Sequence, residues 1–69
     1  MTHAEIIADT RHGVDIDCYF GDIFVGCARI QLDQEPILID VTDSLRAHIA
    51  EEPDRLAQIV DQVIVRRAK

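Results

Sequence analysis

The sequence predicts an α+β fold: a small antiparallel β-meander of three or four strands, then two C-terminal helices packed on one face. Three observations carry that expectation. Apolar residues alternate with period two from Val14 to Phe20, and further β-prone runs follow as far as Val41. Short clusters of Gly, Asp and Pro interrupt these runs at hairpin spacing. From Leu56 onward the apolar period changes to that of a helix. With 69 residues the chain accommodates one domain, 1–69.

The elements follow in order. Residues 4–10, AEIIADT, read as a first strand, and Arg11-His12-Gly13 as a turn. In the second strand Val14, Ile16, Cys18 and Phe20 alternate with Asp15, Asp17 and Tyr19, the pattern of a half-buried strand. Gly21-Asp22 suits a two-residue hairpin turn, in which Gly supplies positive φ. Ile23 to Leu32 forms the third strand, Asp33-Gln34-Glu35-Pro36 punctuates it, and Ile37 to Val41 reads as a fourth. Thr42, Asp43 and Ser44 are all good N-cap residues, and Leu45, His48 and Ile49 line one face of a short helix. Pro53 and its acidic neighbours restart the chain. Leu56, Ile59, Val60, Val63 and Ile64 then form the apolar stripe of a second helix that ends in Arg66 and Arg67.

A turn at Gly21-Asp22 predicts that Cys18 opposes Val25 and Ile16 opposes Cys27, placing both cysteines on the core face. The other face then carries Asp15, Asp17 and Tyr19 opposite Ala28, Gly26 and Phe24. Both thiols are expected to be buried, and diagonal placement across the hairpin would allow them to oxidise together. His48 is expected as a hydrogen-bonded core or interface histidine, His12 as a solvated turn residue, and His3 near a fraying end.

Composition narrows the function classes. There are 13 acidic and 7 basic residues, a net charge of −6, and the aromatic residues are Tyr19, Phe20 and Phe24. Residues 1–45 hold nine carboxylates against Arg11 and Arg29, a net −7, whereas residues 46–69 are net +1. Such a front half repels nucleic acid and anionic membranes and attracts basic surfaces. The start MTHAEIIADT lacks a basic segment followed by a long apolar run. The expectation is therefore a cytoplasmic chain with reduced thiols.

No phosphate-binding glycine loop occurs, and Ser44, the sole serine, has a cap role available. Catalysis is not expected, and no cofactor is implied. Asp15-x-Asp17 lacks the spaced oxygen ligands and interior glycine of an EF-hand. Cys18 and Cys27 lack the paired spacing of a zinc site, so no metal residue is assigned. A weaker alternative would use Asp15, Asp17 and His12 for a cation.

Two readings of the hairpin carboxylates remain: they solvate a sheet face, or they form a recognition patch. The recognition candidates are Asp15, Asp17, Tyr19, Asp22, Phe24, Asp33 and Glu35. Aromatic residues among charges favour such a role. In size and acidity the chain is similar to small phage-encoded inhibitors, including anti-CRISPR and other DNA-mimic proteins, a similarity of composition alone. The leading expectation is an acidic interaction module that occupies a basic, nucleic-acid-binding surface of a larger protein. The alternative is a structural or regulatory homodimer, or an antitoxin-like accessory subunit, joined through exposed apolar parts of the hairpin or through the last helix near Val65.

Overall fold

The computed structural model describes residues 1–33 and 37–68. It contains strands β1 (Thr2–Asp9), β2 (Gly13–Phe20), β3 (Ile23–Gln31) and β4 (Ile37–Ile39), then helices α1 (Asp43–Glu51) and α2 (Asp54–Arg67). The four strands form one antiparallel sheet in chain order, β1-β2-β3-β4, and both helices pack on one face of it. The α+β expectation holds.

Period-two burial explains the core. Val14, Ile16 and Cys18 from β2, Ala4 from β1, and Ala28 and Ile30 from β3 point to the helices. There they meet Leu45 of α1 and Ile59 and Val63 of α2. These side chains are small or aliphatic, as a chain without tryptophan requires. Each fully buried Val, Ile or Leu contributes about 1.5–3 kcal/mol by leaving water. Of the expected α2 stripe, Ile59 and Val63 are buried and Val60 is half-buried, while Leu56 and Ile64 stay partly in solvent. Phe20 and Ile23 share the helix side at the hairpin end, where Phe20 packs against the His48 ring of α1 and Ile23 runs past the helices, 68% exposed.

The register departs from the sequence expectation at one place. Gly21 has the positive φ expected of the turn, 63°, and Phe20 faces Ile23 while Tyr19 faces Phe24. Beyond that pair the register shifts by one, so that Cys18 faces Gly26, Asp17 faces Cys27, Ile16 faces Ala28 and Asp15 faces Arg29. A β-bulge has inserted one extra residue into β3. Gly26 makes it: its φ is 137°, and a Cβ there would lie 2.2 Å from Thr42 Oγ1 and 2.7 Å from Leu45 Cβ. The start of α1 therefore sits directly on the bulge, and only glycine leaves room for it.

Thr42 completes this joint. Its N–H donates to the Cys27 carbonyl at 3.0 Å, and its hydroxyl accepts the Cys27 N–H at 3.1 Å. Thr42 is the N-cap residue of α1, yet its hydroxyl makes no capping bond to that helix's backbone and is engaged by the Cys27 N–H of β3 instead. β4 is shorter than expected and stops at Ile39, since Asp40 turns into left-handed backbone at φ 51°. β1 begins two residues earlier than expected, at Thr2, and carries its own bulge at Ile7.

The free edge of β1 is closed by side chains from α2. Gln62 accepts the Ala4 N–H at 3.0 Å and donates to the Thr2 carbonyl at 2.8 Å. Arg66 donates to the Ala4 carbonyl, and Arg67 bonds the Thr10 and Arg11 carbonyls and the Asp9 carboxylate. These contacts occupy the outer edge of β1 at Thr2 and Ala4, where it would otherwise recruit another chain. No helix among the described residues is long and apolar enough to cross a membrane.

Candidate functional site

The face of the sheet opposite the helices carries the candidate residues, because alternation on β2 turns Asp15, Asp17 and Tyr19 away from the core. Strand pairing arranges this open face in three rows. At the hairpin end His3, Tyr19 and Phe24 form an aromatic row, with ring centroids 6.2 Å apart for His3–Tyr19 and 5.7 Å for the edge-on Tyr19–Phe24 pair. The middle row is Glu5, Asp17 and Cys27. The third is Ala8, Asp15, Arg29 and Ile39.

Charge is distributed unevenly over these rows. In the third row Arg29 Nη1 lies 2.8 Å from Asp15 Oδ1 and its other terminal nitrogen reaches Thr10 Oγ1. Asp15 is thereby compensated, contrary to the expected pairing with Ala28. In the middle row Glu5 and Asp17 face each other as like charges. Glu5 accepts a 2.5 Å hydrogen bond from His3 Nε2. That bond, then the charge of His3 and of Arg66, holds its carboxyl below the ordinary range, so Glu5 stays ionised. Asp17 makes no ion pair among the described residues.

The hairpin turn brings Asp22 to this end of the face. His3, Glu5, Tyr19, Gly21 and Asp22 line an open hollow of about 300 Å³. Two carboxylates, a phenol and an imidazole around one concavity suit a cationic side chain, with the half-exposed Phe24 ring beside it for apolar contact. A second concavity, about 230 Å³, lies over the third row between Ile7 and Asp40 and contains the Asp15–Arg29 pair and Cys27.

Asp17, Tyr19, Asp22 and Phe24 thus come together as candidates, whereas the other three do not join them. Asp15 is drawn into its ion pair. Asp33 lies beyond the far end of β3, hydrogen-bonded by His12 Nδ1 at 2.7 Å, and His12 remains an exposed turn residue as expected. Glu35 lies outside the described residues. Sequence reasoning missed His3 and Glu5, although the alternation of His3-Ala4-Glu5 places them on the same face once the strand starts at Thr2. It also missed the bulge, for which an isolated glycine inside a strand pattern, Gly26, is the available signal.

The bulge separates the cysteines. Cys18 remains in the core, where burial first, then Asp17 and Cys27, push its thiol up to about 12. Cys27 turns to the open face and is half-exposed rather than buried. Among the described residues no group of three His, Cys, Asp or Glu side chains is placed to hold a metal ion. No protein-family model, no curated protein and no solved structure matches this chain.

Proposed function

We propose that this chain is a non-catalytic interaction module that seats the hairpin end of its open sheet face on a basic surface of a larger protein. In this reading it acts as an inhibitor or decoy at a nucleic-acid-binding surface. The observation that carries the proposal is the hollow of His3, Glu5, Tyr19 and Asp22 beside the uncompensated Asp17. Solvation alone is served by mixed charge, as the Asp15–Arg29 row demonstrates. Asp17 and Asp22, which make no ion pair among the described residues, instead leave negative charge at this end of the face, and a cationic partner would offset it. Tyr19 and Phe24 supply rigid aromatic area, the kind of contact that dominates interface energetics, and the negative field would steer a basic partner toward it.

The test uses tagged protein and a nuclease-treated bacterial lysate at low and high salt, with captured proteins identified. The expected result is a basic nucleic-acid-binding protein that is lost at high salt and displaced by added DNA or RNA. Asp17→Asn with Asp22→Asn should weaken its capture severalfold at low salt, and Phe24→Ala about tenfold or more. Recovery of the chain alone, as a salt-tolerant dimer, would replace this proposal with the homodimer reading, for which the exposure of Ile23 and Val65 provides a surface.

A further inference from the structure

β1, the end of β2, α1 and the start of α2 meet around His48, away from the open sheet face. Its Nε2 lies 2.9 Å from the hydroxyl of the fully buried Thr2. Its Nδ1 lies 3.2 Å from Arg55 Nη1, which also bonds the His48 carbonyl at 2.7 Å. The Arg55 guanidinium is 4.8 Å from the Phe20 ring centre, and that ring meets the His48 ring edge-on at 5.2 Å. Four elements are therefore tied through one imidazole.

The arrangement dictates the tautomer. A guanidinium only donates, so His48 Nδ1 must accept and be unprotonated. The proton then resides on Nε2 and is donated to Thr2 Oγ1. A second proton has one place to go, Nδ1, where it would abolish the bond from Arg55 and leave two cations within hydrogen-bond distance.

We infer that His48 is an acid-sensitive latch, which holds β1 and α2 to α1 while neutral and releases them when protonated. The charged groups facing it are Arg55 from α2, Glu51 from its own helix, Glu52 just beyond that helix, and the amino group of Met1 preceding β1; β2 contributes only the Phe20 ring. Glu51 and Glu52 would favour protonation, but both are mostly exposed and already paired with Arg55, whose side chain is largely buried. Burial first, and Arg55 second, hold the imidazole below its ordinary range. An unfolded histidine binds its proton near pH ~6.5. Below that value the unfolded chain takes up a proton that the folded chain resists. The latch is therefore intact above about pH 6.5 and lost as pH falls toward the depressed folded value. In that window the unfolding constant rises by up to about tenfold per pH unit. The inference stands apart from the proposed interaction surface, since none of its groups lines the hollow.

The test combines an NMR titration of the histidine ring signals with urea unfolding at pH 7.5 and 5.5. His48 should titrate below about 6.5, and Arg55→Gln should move its midpoint upward. His48→Gln, whose amide can donate to Thr2 and accept from Arg55 without titrating, should lose less stability between the two pH values than the unaltered protein. A His48 midpoint at or above about 6.5, or an unchanged pH dependence in His48→Gln, overturns the latch. The titration decides the matter by itself if that variant does not fold.

Discussion

At the scale of single residues, Gly26 has the widest consequences. Its backbone lies against Thr42 and Leu45, and the bulge it forms reverses the facing of every later β3 side chain relative to a regular hairpin. Cys27 reports this directly. It occupies the open face beside Asp17, while Cys18 is fully buried with its thiol raised to about 12. Alkylation of the native protein near pH 8 should therefore add one label, at Cys27, and denaturation should add the second. Peptide mass spectrometry distinguishes the two sites. Early labelling of Cys18, or a disulfide between the pair, would contradict the bulged register, because side chains on opposite faces of one sheet do not bridge.

Among the elements, α2 does more than cover the core. Ile59 and Val63 bury its apolar stripe, while Gln62, Arg66 and Arg67 reach over the edge of β1 and satisfy its backbone. Gln62→Leu would strand the Ala4 N–H and the Thr2 carbonyl, both in fully buried residues. The expected cost is about 1–3 kcal/mol in urea unfolding. A second expected effect is concentration-dependent association through the reopened strand edge, measurable by sedimentation. An unchanged midpoint with a monomeric variant would mean that water serves that edge equally well. Both helices and their order were legible from the 3.6-residue period and from Pro53, since these signals act over a few neighbouring residues. The edge-sealing role of Gln62 was not legible, because it depends on a partner 58 residues away.

For the whole molecule, one cluster of buried residues draws on β1, β2, β3, α1 and α2 together. Neither helix has a core without the sheet, and a lone hairpin is marginal in water. Heat should therefore unfold all elements in a single transition, with an enthalpy of about 50 kcal/mol at the midpoint for a chain of this length. Coincident loss of far-UV circular dichroism and of methyl NMR signals from the core checks this, and a helix signal that melts earlier would refute it. The net −6 charge acts at the same scale, but the structure redistributes it. Arg29, Arg55, Arg66 and Arg67 are spent on internal carboxylates, which leaves Asp17 and Asp22 to shape the field at the hairpin end.

The sequence by itself determined the class, the order of the elements, the Gly21 turn and most of the core, because alternation, helical period and turn chemistry are local properties of the chain. It also determined the excess of acid in the first 45 residues. Which acids remain uncompensated was decided by tertiary structure alone. Asp15 meets Arg29 rather than Ala28 because α1 seats Thr42 and Leu45 against Gly26 and shifts the register by one. His3 and Glu5 join Tyr19 and Asp22 because β1 pairs with β2 from Thr2 onward. Register is a collective property of strands and of the helices packed on them, so a window of neighbouring residues does not contain it.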